Sequence, residues 1–256
     1  MGKVITFAIQ KGGCGKSITA GTIAYLLAEQ GHKVLLADWD GQGNSTELLT
    51  LKPIRDYRAD GVGGALQAAK DGDARSHILT VTDNLHLLPA NEVMGSLTEW
   101  MFTTFHGNRN TIIKTVIDSV KDYYDYVICD TAPALDFILT NVLTASDGVV
   151  ALYETSKFCY SALLSFMETV EAVQAQTNPN LKLIGILPSM LDSRRVDNKE
   201  FLEISRSDFG DKVFKSIIHR QAATGRLPIA GFFNNPEIKT ATKQYQPVLE
   251  ELLERV

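Results

Sequence analysis

The chain has 256 residues, a formal net charge of −5, and 45% apolar against 21% charged side chains. That balance supports a globular core and excludes a disordered chain, a collagen-like repeat and a uniformly basic nucleic-acid wrapper. Three scattered cysteines, Cys14, Cys129 and Cys159, make no Cys-x-x-Cys pair and no Cys/His ligand spacing, so neither a structural zinc site nor a disulfide framework is expected.

In chain order, residues 3–9 are β-branched and apolar up to a glycine cluster, which predicts a strand. Residues 16–30 carry Ile18, Ile23, Leu26 and Leu27 at helical spacing and end at Gly31, which predicts a helix. Further strands are predicted at 33–37, 85–88, 126–129, 148–153, 183–187 and 212–217, with helical patterns at 61–70, 111–121, 158–176, 198–207 and 235–254. Strands that are apolar throughout are covered on both faces, and strands separated by helices run parallel. The expected fold class is α/β: a mostly parallel twisted sheet of about seven strands with helices on both faces. No linker, internal repeat or low-complexity tract interrupts the pattern, so residues 1–256 are expected to form one domain. No helix-turn-helix pattern precedes the first strand and no apolar run reaches membrane-span length.

The most specific signal is Gln10-Lys11-Gly12-Gly13-Cys14-Gly15-Lys16-Ser17, placed after a strand and at the start of a helix. That context is what a phosphate-binding loop requires. Glycines let the backbone turn tightly and bring N–H groups to phosphate oxygens, and the helix N-terminus adds its positive end. Lys16 is expected to neutralise the β- and γ-phosphates and the Ser17 hydroxyl to sit on Mg²⁺. Lys11, Gly12, Gly13, Cys14, Gly15, Lys16, Ser17 and Ile18 are the candidate nucleotide-binding residues. Gln10 stands where the strict pattern has glycine, and Lys11 adds a second cation at the loop entrance.

Lys11-Gly12-Gly13-x-Gly15-Lys16-Ser17 resembles the deviant Walker A loop of the ParA/MinD family of ATPases. Two further blocks agree in order and spacing. Asp38-Trp39-Asp40 followed by Gln42-Gly43-Asn44 looks like that family's second-strand motif, and Tyr126-Val127-Ile128-Cys129-Asp130-Thr131-Ala132-Pro133 looks like its Walker B strand. The resemblance implies a P-loop NTPase fold of the deviant Walker A type, ATP hydrolysis, and ATP and Mg²⁺ as cofactors.

Asp130 ends a buried strand, where its carboxylate reaches Mg²⁺ through a water. Asp38 and Asp40 lie at i and i+2, sharing one side of an extended backbone. Hydrolysis needs a group that orients the attacking water. The resemblance assigns that task to Asp40 and puts Asp38 in the Mg²⁺ shell, giving Ser17, Asp38 and Asp130 as the metal set. It also makes Lys11 the residue that contacts the nucleotide of a second subunit, as an arginine finger does in trans, so a homodimer forms on ATP binding. Lys11, Lys16 and Asp40 are then the catalytic set. Gly41 replaces a proline common in relatives, and Gln42-Gly43-Asn44 is expected to be a switch loop. Where relatives often carry Ile-Pro-Arg-Asn this chain has Ile218-His219-Arg220-Gln221. His219 and Gln221 are therefore the candidate adenine neighbours.

Residues 182–226 hold nine basic and six acidic side chains, a local excess on an otherwise acidic chain. Phosphate neutralisation needs only such a local excess. Arg194, Arg195, Lys215, Arg220 and Arg226 are the candidate contacts to nonspecific DNA, and Asp192-Ser193-Arg194-Arg195 resembles the Asp-x-Arg turn of DNA-binding relatives. Residues 245–256 form an amphipathic tail with three Glu against one Arg, which an anionic membrane repels, so no membrane partner is expected. The resemblance thus points to a cytoplasmic, nucleoid-associated partition ATPase stimulated by a ParB-like centromere-binding protein. Alternatives are a related positioning ATPase with a protein cargo and a metabolic P-loop enzyme.

Overall fold

The structure, a computed structural model, describes residues 2–55, 63–192 and 194–256. The strands are β1 (Lys3–Ala8), β2 (Val34–Asp38), β3 (Leu79–Thr80), β4 (Leu85–Leu88), β5 (Tyr126–Asp130), β6 (Gly148–Glu154) and β7 (Lys182–Ser189). The helices that matter here are α1 (Lys16–Glu29), α2 (Asn44–Thr50), α3 (Gly64–Asp71), α4 (Ser96–Thr103), α5 (Ile112–Asp118), α6 (Phe137–Ala145), α7 (Lys157–Gln176) and α8 (Val196–Phe209). Four shorter helices close the chain: α9 (Ala222–Gly225), α10 (Leu227–Ala230), α11 (Ile238–Thr242) and α12 (Gln246–Arg255).

The strands form one sheet in the order β3-β4-β2-β5-β1-β6-β7, parallel except for β3 against β4. β1 connects leftward in this order to β2, and β6 connects rightward to β7. Right-handed crossovers then place α1 and α7 on opposite faces. Ligands in such sheets bind beyond the carboxyl ends of the strands, where connections diverge. The loop after β1 occupies that position.

The central strands are buried on both faces, as their unbroken apolar character requires: all five residues of β2 are buried, and so are Val4 to Ala8 of β1. Leu36 and Ile128 belong to a core that includes α1 and α12, while Leu35, Val127 and Cys129 face a second core built from α3, α5 and α6. Cys14, Cys129 and Cys159 are all buried free thiols.

Two expectations need correction. Residues 212–217 are not a strand. Phe214 N donates to Ile186 O and Ile218 N to Pro188 O, but the N–H groups of Lys215 and Ser216 are both taken by the Glu251 carboxylate at 2.9 Å. Those donors are lost to any ladder, and only a single bridge, Val213 to Ile186, remains. The seventh strand is instead the two-residue edge β3. The single helix expected over 235–254 is broken into α11, a tight 3₁₀ turn at Lys243–Tyr245, and α12. Pro247 lacks an N–H, so it sits in the first turn of a new helix and cannot continue an old one. The helix expected over 61–70 is seen from Gly64; its first two positions lie outside the described residues.

The C-terminal helix is clamped to this irregular segment. Glu251 accepts from Lys215 N, Ser216 N and Arg255 Nη2, and Arg255 also donates to Ile184, Asp211 and Val213 carbonyls while lying 4.4 Å from the centroid of the Phe214 ring. Removing the carboxylate strands two backbone donors. Glu251→Ala is expected to cost about 2 kcal/mol of folding free energy, read as a lower urea midpoint with unchanged slope. An unchanged midpoint would mean that water replaces the carboxylate without cost.

Candidate functional site: a phosphate cradle beside a second cavity

The loop between β1 and α1 turns through Gly13 at φ 80° and Gly15 at φ 82°, both in the left-handed region that favours glycine. Gly15 is the N-cap of α1 and offers no side-chain acceptor, so no capping side chain competes for the first N–H groups of the helix. The loop is held from far away in sequence. Ser189 at the end of β7 donates its hydroxyl to Cys14 O at 2.8 Å, and Met190, with φ 55°, lies beside Gly15.

Lys16 is buried and its Nζ donates to the Lys11 carbonyl at 3.0 Å, closing the loop on itself. It lines a cavity of about 370 Å³ together with Gly13, Ser17, Asp40, Gln42 and Pro133. Lys11 is not in that lining. Its ammonium lies 5.8 Å from the centroid of the Phe158 ring, and Phe158 is 78% exposed. One loop thus directs two cations to different places.

Asp38 and Asp130 are register partners on adjacent strands, and both are fully buried. Asp130 Oδ2 accepts the Ser45 hydroxyl at 2.7 Å, and Oδ1 accepts Thr131 N. Asp38 Oδ2 accepts the Thr46 N–H and hydroxyl at 2.8 and 2.7 Å, while Oδ1 accepts Asp40 N. Burial and then the Asp130 charge push the Asp38 carboxyl well above the ordinary carboxylate range. Burial also raises Asp130, against the opposing pull of the Ser17 and Ser45 hydroxyls and the Lys16 charge.

Asp40 is 5% exposed and faces the cavity. Its Oδ1 accepts Gln42 N at 2.9 Å, and its carbonyl accepts Gly43 N. The expected switch loop is short, because α2 begins at Asn44. Of the i, i+2 pair, Asp40 lines the cavity, and Asp38 spends its hydrogen bonds behind it on the start of α2.

These features fit a nucleoside polyphosphate with a divalent cation. Among the described residues, no group of three His, Cys, Asp or Glu side chains could hold a metal alone. A Mg²⁺ here would draw on Ser17 and Asp130, with phosphate and water oxygens as its other ligands; Asp38, expected in the same shell, has its oxygens engaged by Thr46 and by Asp40 N.

Beside the cradle lies a second cavity of about 180 Å³, whose lining includes Gly15, Ile18, Met190, His219, Gln221 and Tyr245. Gly15, Ile18 and Met190 line both cavities, so the two adjoin. The structure brings His219 and Gln221 to a wall of this space. Met190, Thr224 and Tyr245 also line it, and no local sequence pattern announced them.

The candidate DNA contacts are largely paired. Arg194 forms two hydrogen bonds with Asp192, Arg195 two with Asp197, and Arg226 two with Glu237. Arg220 lies 3.8 Å from Glu154. Lys215 is exposed on the segment clamped by Glu251. Among the described residues, no helix is long and apolar enough to cross a membrane.

A family model described as an AAA domain matches residues 2–183. The chromosome-partitioning ATPase Soj of Thermus thermophilus is 32% identical over 255 residues, covering 98% of this chain and 96% of the relative. A crystal structure assigned to plasmid partition in Borrelia burgdorferi B31, bound to AMPPNP, superposes with a TM-score of 0.82 at 27% identity and covers 100% of both chains. Cobyrinic acid a,c-diamide synthase of Mycobacterium smegmatis, with bound ATP analog and magnesium, has a TM-score of 0.82 at 26% identity, covering 99% of this chain and 95% of that one.

Proposed function

The chain belongs to the ParA/MinD family of P-loop ATPases, and from that premise we propose that it is a DNA partition ATPase. ATP binding builds a sandwich dimer, the dimer holds DNA without sequence preference, and a ParB-like centromere-binding protein stimulates hydrolysis. The protein is cytoplasmic and associates with the nucleoid in its ATP state.

The observation that carries this reading is the division of labour between the two loop lysines. Lys16 lies inside the cradle and Lys11 outside it, over Phe158. A cation outside its own phosphate site is available to the phosphate of another subunit. The backbone N–H groups of Gly13, Gly15 and the first turn of α1 bind the phosphates, with Lys16 balancing their charge. Ser17 and Asp130 hold Mg²⁺, which supplies charge neutralisation at the phosphates when bound. Asp40 orients the attacking water, and Asp38 holds Asp40 and α2 in place. His219 and Gln221 flank the adenine. Hydrolysis is slow until a partner settles the segment from Asp40 to α2.

The test is DNA retention with ATP, ADP and no nucleotide. The partition reading expects retention with ATP alone, falling with salt, and weakened across all sequences by Arg194→Ala or Arg220→Ala. Retention that ignores nucleotide would contradict it. One observation favours a second reading, a positioning ATPase with a protein cargo: four of the five candidate DNA cations already face carboxylates. That reading expects ATP-dependent dimers with no DNA retention. A metabolic enzyme like the diamide synthase would turn over ATP only with a small acceptor.

A further inference from the structure

The wall of the base cavity is held by a side chain outside it. Residues 218–220 run beside the extension of β7, where Leu191 N donates to Ile218 O and Arg220 N donates to Leu191 O. That pairing uses one edge of the segment. The backbone N–H and C=O of His219 point to the other edge, where no strand lies among the described residues. There the Gln244 amide acts as a substitute strand: its Oε1 accepts His219 N at 2.8 Å and its Nε2 donates to His219 O at 3.1 Å. The same Nε2 reaches the Thr224 hydroxyl at 3.1 Å, and that hydroxyl donates to Ala241 O at 2.9 Å. Gln244 is itself fixed in the 3₁₀ turn between α11 and α12, one residue before Tyr245, which lines the cavity.

We propose that Gln244 is a positioning residue for the nucleobase: by gripping both backbone groups of His219 it sets the cavity wall against which the purine lies. The inference rests on the reading that this cavity holds the base. The hydrogen bonds of the Gln244 side chain go to His219 and Thr224, both in the lining of this cavity, so its influence falls at the base end of the ligand. The cradle, built from the loop after β1, Ser189 and α1, keeps its own hydrogen bonds whatever residue 244 is.

The test compares Mg-ADP with Mg-pyrophosphate by calorimetry, since both use the cradle and only one carries a base. Gln244→Leu is close in size and removes all three hydrogen bonds. It is expected to weaken ADP about tenfold and leave pyrophosphate within about twofold. Gln244→Glu, which keeps the acceptor for His219 N and loses the donor to His219 O and Thr224, is expected to give the same pattern at about threefold. Should Gln244→Leu fail to fold, judged by its melting curve, Gln244→Glu decides. Equal losses for ADP and pyrophosphate, or unchanged ADP binding in both variants, would overturn the proposal while leaving the base cavity intact. Wild-type protein that binds ADP no more tightly than pyrophosphate would instead overturn the assignment of the cavity to the base.

Discussion

Lys11→Ala is expected to bind ADP within about twofold of wild type yet lose about 10³-fold in steady-state ATP hydrolysis, the scale of a charge supplied in trans to a phosphoryl-transfer site. ADP binding survives because the cradle does not use the Lys11 side chain. What Lys16 takes from residue 11 is its backbone carbonyl, which alanine also has. On the proposed reading hydrolysis falls because the ammonium, which lies over Phe158 and outside the lining of its own cavity, serves a phosphate across a dimer. Stopped ADP binding would place Lys11 in its own site; unchanged turnover would remove it from catalysis.

Asp40→Ala is expected to give the opposite split: ATP-dependent dimers form and persist, and hydrolysis falls about 10²- to 10³-fold. Among the described residues, the carboxylates in the cavity lining are Asp40 and Glu47, and the Asp40 backbone and Gln42 keep Asp40 aimed there. Single-turnover assays separate this loss from a binding defect. A variant that hydrolyses at the wild-type rate would pass the water-orienting role to another group. Asp38→Ala should look different, because Asp38 holds the start of α2 through Thr46 and sits against Asp130: its first effect is on the stability of the segment from 38 to 46.

The cradle was legible in the sequence because every part of it is local. A β-branched run, three closely spaced glycines and a helix start are contiguous, and backbone sterics alone turn them into a phosphate-binding loop. The α/β class was legible for the same kind of reason: strands buried on both faces announce themselves as unbroken apolar runs. The segment 212–217 shows where that logic stops. Its pattern suits a strand, but Glu251, 35 residues beyond Ser216, captures the donors that a ladder needs. Nothing within the segment records that capture. The break at Pro247 was visible in the sequence, and the amphipathic spacing on either side masked it. The second cavity is assembled from the phosphate loop, Met190 after β7, the 218–221 segment and Tyr245, so its composition depends on tertiary packing that no window of residues encodes. The pairing of Arg194 and Arg195 with nearby acids was within reach, since Asp192 and Asp197 lie two residues away from their partners; Arg226 meets Glu237 eleven residues on, through tertiary packing.

Molecular mass by light scattering, with AMPPNP, ADP or no nucleotide in the presence of Mg²⁺, tests the assignment of the two lysines most directly. Wild-type chains of 28.2 kDa are expected to double in mass with AMPPNP alone, and Lys11→Ala chains to stay single in all three conditions. A Lys11→Ala protein that doubles with AMPPNP as wild type does, or a wild type that never doubles, would contradict a lysine that reaches across to a second subunit.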